Sequence, residues 1–164
     1  MKWVKTFESF LNETNFGTLI KKSQFHSIYQ DPKNRDRVIK VGQEAVLHGK
    51  IFKENPEYCP IVYEIHEDEN PLESYIIIEK LNTEKAIADY DNLINAEIGY
   101  VHNWGYKTFK NTKSFNDVRS RITTKEGQDM FDRVRDIVLA IEMKDIHARN
   151  FGYDKNMKLK ALDI

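Results

Sequence analysis

The 164-residue chain is predicted to form a small α+β protein, because strand-like and helix-like patterns occupy different parts of it. Short runs of β-branched and aromatic residues, separated by turn residues, fill most of the first 80 positions. From Thr83 onward apolar residues recur at helical spacing instead. We therefore expect an antiparallel sheet with one helix, followed by a group of helices.

The first half is predicted to contain five strands, with a helix after the third. A helix over 3–11 precedes them, because apolar residues there recur at helical spacing. The strands are expected over 18–20, 25–29, 37–41, 60–65 and 75–79. The helix is expected over 43–54, where Asn55 and Pro56 end it.

The second half is predicted to be helical until a last strand. Helices are expected over 86–101 and 127–143, joined by a basic polar connection that runs through Thr112. An apolar strand is expected over 159–164. The connector near 79–82 divides a single domain into a sheet lobe with its hinge, residues 1–81, and a helical lobe, residues 82–164.

Composition excludes several classes of protein. Lysine and arginine number 25 against 26 aspartates and glutamates, so the net charge of −1 gives no reason to expect nucleic acid or an anionic membrane as partner. The single cysteine, Cys59, excludes a disulfide framework and a multi-cysteine zinc site, and it favours a reducing cytoplasm. Since we find neither a signal peptide nor a transmembrane run, we expect a soluble cytoplasmic protein.

The most informative stretch is 144–164, in which two of the three aspartates and one of the two asparagines stand at defined spacing. Asn150 follows Asp145 by five residues, and Asp163 follows Asp145 by eighteen. Asp163 stands on the apolar strand that follows a turn rich in Asp, Lys and Asn. A helix-ending turn with no chemistry is the simpler interpretation of these residues, because turns of this composition are common.

This spacing, behind a sheet lobe and a helical lobe, resembles the protein-kinase-like superfamily. The resemblance implies a kinase-like fold that binds ATP and Mg²⁺. It implies that Asp145 is the catalytic base or positions the acceptor hydroxyl, and that Asn150 and Asp163 hold the metal.

The resemblance also assigns residues of the sheet lobe to the nucleotide. Lys40 resembles the strand lysine that contacts the phosphates, although a lysine in such a strand is otherwise an outward-facing, solvated residue. Its partner glutamate is expected to be Glu44, with Glu54 a poorer candidate. The remaining positions that the resemblance assigns are the gatekeeper Ile78 and, through their main chain, the adenine-binding residues Glu79 to Leu81.

Two segments depart from the protein-kinase pattern. Lys21, Ser23 and His26 occupy the places of the phosphate-loop glycines, which weakens the case for ATP, although a side chain such as that of Ser23 could contact phosphate instead. His147 replaces a lysine of the catalytic loop, which is closer to aminoglycoside and choline phosphotransferases. His147 could contact a phosphate or Asp163, or simply pack the loop.

The sequence ends at Ile164, directly after the proposed metal ligand, so a truncated helical lobe is expected. This resembles the minimal kinase-like proteins of bacteriophages, which would work in the host cytoplasm. Two functions stay open: a phosphotransferase acting on a protein Ser/Thr or small-molecule hydroxyl, and an inactive pseudokinase that binds a partner such as a host protein. Helix faces left uncovered could also favour homo-oligomers.

Overall fold

The computed structural model describes residues 16–23, 26–99 and 105–163. These residues form an α+β protein with a five-stranded antiparallel sheet and several helices, which confirms the α+β part of the predicted fold class. The chain divides into two compact units, Met1–Glu54 with Ile61–Lys80, and Asn55–Pro60 with Leu81–Ile164. Within the described ranges, no helix has the length and apolar character needed to cross a membrane. The helix predicted over 3–11 lies outside the described residues.

The first unit consists of the sheet and one helix. Its elements are β1 (Leu19–Lys22), β2 (His26–Gln30), β3 (Arg37–Gly42), α1 (Ala45–Glu54), β4 (Val62–His66) and β5 (Tyr75–Glu79). The strand order is β1-β2-β3-β5-β4, and every neighbouring pair is antiparallel. Strand β1 extends beyond the predicted 18–20, because Lys21 and Lys22 pair with Ile28 and Ser27.

The two faces of β3 have different surroundings, as side-chain alternation along a strand requires. Ile39 and Val41 are buried in a cluster with Phe16 and Tyr29. Lys40 lies on the opposite face, in register with Ile76 of β5.

Helix α1 packs against the face of the sheet that carries Lys40. A Cβ atom added to Gly49 of α1 would lie 2.7 Å from Cγ2 of Ile76 and 3.2 Å from Cδ1 of Ile65. The helix can approach the sheet this closely because position 49 has no side chain. The glycine at position 49 thereby lets the first turns of α1 lie over Lys40.

The second unit is mainly helical. Its elements are α2 (Thr83–Tyr90), a π-helical turn (Asp91–Asn95), α3 (Ala96–Ile98), α4 (Tyr106–Lys110), α5 (Thr112–Arg119), α6 (Lys125–Ala140), β6 (Phe151–Tyr153) and β7 (Leu159–Ala161). Helix α6 begins two residues before the predicted start, since the side chain of Thr124 caps it by accepting a hydrogen bond from the Gly127 N–H at 3.1 Å. It ends at Ala140, shortly before Glu142 with φ +52°.

The prediction of a polar connection through Thr112 is wrong, because much of that segment is helical. Helices α4 and α5 meet at Asn111, whose side chain accepts a hydrogen bond from the Ser114 N–H at 3.0 Å and caps α5. The rings of Phe109 and Phe115 pack against that of Phe131 at centroid distances of 5.4 and 4.9 Å. This aromatic packing stabilises two short helices whose polar surface resembles a loop in sequence.

Candidate functional site

The loop that carries Asp145, His147 and Asn150 is held by main-chain hydrogen bonds. A 3₁₀ turn, Ala148–Asn150, follows the irregular segment and leads directly into β6. The N–H of Asn150 donates to the carbonyl of His147 at 3.0 Å, and the N–H of Leu162 donates to the carbonyl of Asn150 at 2.8 Å. The second bond fixes the chain just before Asp163 beside Asn150.

The side chains of Asp145, His147 and Asn150 form one cluster. Nδ2 of Asn150 donates to the main-chain oxygen of Asp145 at 2.9 Å and to its Oδ2 at 3.1 Å. Nε2 of His147 lies 3.2 Å from the same Oδ2. Asn150 is buried, with 4% of its surface exposed. Three of the four residues predicted at this site are therefore in contact with one another.

The orientation of the Asn150 amide follows from these bonds. Both Asp145 oxygens are acceptors, so the NH₂ group must face them and Oδ1 must face away. Among the described residues we find no hydrogen bond to Oδ1 of Asn150. A buried amide held in this way leaves one oxygen for a ligand.

The carboxylate of Asp145 is constrained and yet accessible. Its Oδ2 is shared by Asn150 and His147, whereas Oδ1 has no hydrogen bond within the described part of the chain. The side chain is 69% exposed, so a hydroxyl group can reach Oδ1. This arrangement suits a carboxylate that accepts a hydrogen bond from an alcohol.

His147 has a partner that the sequence reasoning missed. The sequence left open a phosphate, Asp163 or simple packing, whereas the structure places the imidazole on Asp145. Residues two apart in an irregular loop have no fixed relation, so no sequence signal could have found this contact. The imidazole is about one-third exposed, and it can orient the carboxylate as Asn150 does.

The donor set at Asn150 and Asp163 fits a hard cation. Asp163 is half-buried and directly follows Leu162, the residue bonded to Asn150. Across the described ranges, no group of three or more His, Cys, Asp or Glu side chains could hold a metal. Mg²⁺ does not need such a group, because it usually takes one or two protein oxygens together with water and phosphate oxygens.

Lys40 is not the solvated surface residue that a lysine in a strand would normally be. Only 1% of its surface is exposed. Its Nζ lies 2.6 Å from Nδ1 of His48 on α1, and Nε2 of His48 lies 4.0 Å from Oε2 of the predicted partner Glu44. Sequence reasoning missed His48. A signal existed, because Glu44 and His48 are four residues apart at the start of a helix.

The other predicted nucleotide-binding residues differ in their surroundings. Oγ of Ser23 accepts a hydrogen bond from the His26 N–H and donates to the His26 carbonyl, at 3.2 and 3.1 Å, so its only donor is used within the turn. Ile78 is buried on the same sheet face as Lys40. Glu79 is buried in β5, and its Oε2 accepts from the Ile61 N–H at 3.3 Å.

Leu81 is the last of the predicted nucleotide-binding residues. In the part of the chain that the structure describes, the Leu81 N–H donates no main-chain hydrogen bond, which leaves it free for a ligand.

Burial raises the pKa of the Cys59 thiol to about 12, although the charge of Lys160 opposes the shift. Cys59 is therefore protonated at neutral pH and unsuited to act as a nucleophile.

Comparison with family models and with curated proteins adds no relative to this picture. No family model matches the sequence, and no curated protein gives a significant match. The functional assignment consequently depends on the residues themselves and on their geometry.

Proposed function

We propose that the protein is a kinase-like phosphotransferase that transfers the γ-phosphate of ATP to a hydroxyl acceptor, with Mg²⁺ as cofactor. The observation that carries the proposal is the bond between Asn150 and Asp145. Through this bond a buried amide holds an exposed carboxylate and keeps its own oxygen for a cation. Phosphoryl transfer needs little else from a protein than positioning and charge neutralisation.

Asp145 orients the acceptor in this proposal. Its Oδ1 accepts the hydrogen bond of the attacking hydroxyl, while Asn150 and His147 hold Oδ2. Because Oδ2 is held, the carboxylate cannot rotate freely, and Oδ1 keeps a single preferred direction. The hydroxyl proton passes to this carboxylate as the new O–P bond forms and the bond between the γ-phosphorus and the bridging oxygen breaks, which releases ADP.

Oδ1 of Asn150 and the carboxylate of Asp163 would hold Mg²⁺. When bound, the ion would neutralise charge on the nucleotide phosphates. The N–H of Leu162 donates to the main-chain carbonyl of Asn150, and this bond holds the backbone just before Asp163 beside that of Asn150. Lys40 supplies a further positive charge for the phosphates, and the free N–H of Leu81 supplies a donor for adenine.

A second candidate function is a pseudokinase that binds a protein partner without catalysis. The turn after β1 favours it, because Ser23 there uses its hydroxyl to close the turn and no glycine exposes the main chain to phosphate. Under this alternative, capture of the partner should survive substitution of Asp145.

Variants of single carboxylates separate the two functions. We expect Asp145→Asn to retain Mg²⁺-dependent ATP affinity in calorimetry and to lose about 10²-fold or more of phosphate transfer, because only the hydroxyl contact changes. We expect Asp163→Asn to lose the affinity itself. Asp117→Asn, on the exposed surface of α5, is the matched control and should change neither.

Transfer would be followed by mass spectrometry on a panel of hydroxyl acceptors: Ser/Thr peptides, an aminoglycoside and choline. Phosphorylation of any acceptor by the wild type and not by Asp145→Asn would support the proposal. Absence of Mg²⁺-dependent ATP binding in the wild type would contradict it and leave the pseudokinase as the better explanation.

A further inference from the structure

We infer that His48 positions Lys40, and that it does so as a neutral hydrogen-bond acceptor. The inference rests on the proposed function, since it assigns the phosphate-facing cation of that function a partner. It differs from what the resemblance implies, because a glutamate was expected in this role.

The distance between the two side chains requires a hydrogen bond. Nζ of Lys40 and Nδ1 of His48 lie 2.6 Å apart, and the residues are 1% and 4% exposed. A bond between two nitrogens needs one lone pair, so both cannot be fully protonated. An alkyl ammonium is a much weaker acid than an imidazolium, so the proton lies on Lys40. The ammonium therefore donates, and neutral His48 accepts at Nδ1.

Glu44 favours the tautomer that this bond requires. If Nδ1 accepts, the ring proton must be on Nε2, which lies 4.0 Å from Oε2 of Glu44. That separation is longer than a hydrogen bond, but the negative charge still stabilises a proton on the nearer nitrogen. Glu44 is about half exposed, and the contact through which we expect it to influence Lys40 is the His48 imidazole.

The fold holds the imidazole where Lys40 can reach it. Gly49, the next residue, lets α1 approach Ile76 of β5, which is in register with Lys40. The ring of Phe52 lies 6.0 Å from that of His48, one turn further along the helix. Since helix, sheet and aromatic neighbour all fix this position, His48 is pre-organised.

A neutral partner acts on the ammonium differently from a carboxylate. An imidazole acceptor fixes the direction of the Lys40 ammonium and adds no negative charge of its own. We therefore expect glutamine, a neutral acceptor, to replace His48 better than leucine, which has no acceptor.

The pairing itself is tested by nitrogen NMR of the His48 ring in the full chain without nucleotide. The inference predicts an Nε2–H tautomer with an unprotonated, hydrogen-bonded Nδ1 at neutral pH. In Lys40→Met, the Nδ1 resonance should lose the shift that this hydrogen bond causes. A proton on Nδ1, or a spectrum unchanged in Lys40→Met, would overturn the inference.

The effect on nucleotide is tested by calorimetry with ATP and Mg²⁺. We expect His48→Leu to lower the affinity about tenfold or more and His48→Gln to keep it within about threefold of the wild type, because leucine loses the bond to the charged lysine and glutamine can still accept it. Leu47→Gln, at an exposed position of the same helix, should change nothing. Melting curves confirm that each variant is folded.

The outcomes separate the inference from the proposed function. Equal losses in the leucine and glutamine variants, with normal binding by the wild type, would overturn the positioning role and leave the function standing. If the wild type bound no ATP, the proposed function would fail, whereas the ring spectrum would still decide whether His48 holds Lys40.

Discussion

At the scale of single residues, Asn150 connects the structure of the loop with its chemistry. Its amide donates two hydrogen bonds to Asp145, and its main-chain carbonyl accepts one from Leu162. Replacing a buried polar group with this many hydrogen bonds destabilises the fold, because its partners lose their hydrogen bonds as well. The same side chain therefore stabilises the loop and directs the carboxylate that we propose as the hydroxyl acceptor.

The first prediction concerns Asn150→Leu, which keeps the volume of the side chain and removes both donors. We expect the free energy of unfolding to fall by about 2 kcal/mol, since one lost bond goes to a charged oxygen and the other to a carbonyl. Urea unfolding followed by circular dichroism measures the change. Asn116→Leu, at an exposed position of α5, is the control and should change stability by less than about 0.5 kcal/mol. Equal effects of the two substitutions would contradict this role of Asn150.

Some site residues could be predicted from the sequence, and others could not. Asp145 and Asn150 have a spacing that can be recognised along the chain, and the structure places them in contact. The spacing of four residues could link His48 to Glu44, but its contact with Lys40 depends on how α1 lies on the sheet. The close approach at Gly49 decides that contact, and sequence periodicity does not reveal it.

At the scale of elements, the β6–β7 hairpin depends on the Asp154 carboxylate. Oδ1 of Asp154 accepts hydrogen bonds from the N–H groups of Asn156 and Lys158, both at 2.9 Å. Oδ2 lies 3.5 Å from Nζ of Lys160, and both side chains are 6% exposed. Burial raises the pKa of Asp154, but the two N–H donors and the charge of Lys160 outweigh it and lower the pKa below the ordinary 3.8.

The second prediction concerns Asp154→Asn and its dependence on pH. Because the folded pKa is lowered, the carboxylate stabilises the fold above about pH 4, and that stability is lost as pH falls through the folded pKa. At neutral pH the free energy of unfolding of the variant should be about 3 kcal/mol lower than that of the wild type, because a buried ion pair loses one partner. Urea unfolding of both proteins at neutral pH and at about pH 3 should show the difference shrinking in acid. A constant difference would count against the ion pair.

The third prediction concerns Gly127 at the start of α6. A Cβ added there would lie 2.6 Å from the Leu93 carbonyl oxygen and 2.7 Å from Cγ2 of Ile122. Gly127→Ala should therefore lower the free energy of unfolding by about 1–3 kcal/mol, even though alanine favours helix. Gly105→Ala has no atom within 4 Å of its new Cβ and serves as the control. Thermal unfolding of both variants tests the difference, and a stabilised Gly127→Ala would refute the close contact.

Strands were easier to predict than the short helices. Strand β5 (Tyr75–Glu79) has the predicted bounds, because a run of β-branched residues between turns has few alternatives. The sequence prediction missed helices α4 and α5, because most of their residues are polar and only a few aromatic residues are buried. Packing of Phe109 and Phe115 on Phe131 stabilises them, and that packing joins distant parts of the chain.

At the scale of the whole molecule, the division of the chain is less simple than the change of pattern in the sequence indicates. The second unit begins at Leu81, but it also includes Asn55–Pro60 from the first half. The carbonyl of Tyr58 accepts a hydrogen bond from the Ala161 N–H at 2.8 Å, and that of Glu57 accepts from Arg133 at 2.7 Å. Contacts across some 75 to 100 residues of sequence cannot be read from local patterns.

We propose that this molecule binds ATP through a Mg²⁺ site that includes Asp163. A ligand that binds only the folded state raises its stability by about 2.7 kcal/mol at a concentration one hundred times the dissociation constant. For a chain of this size that corresponds to a rise of about 5 °C or more in melting temperature. Asp117→Asn again provides a matched control for the removal of one carboxylate.

The most direct measurement is a thermal-shift titration with ATP, with and without Mg²⁺, on the wild type, Asp163→Asn and Asp117→Asn. Our account predicts a Mg²⁺-dependent rise in the melting temperature of the wild type and of Asp117→Asn, and none in Asp163→Asn. A flat response in all three proteins, or an equal rise in Asp163→Asn, would contradict it.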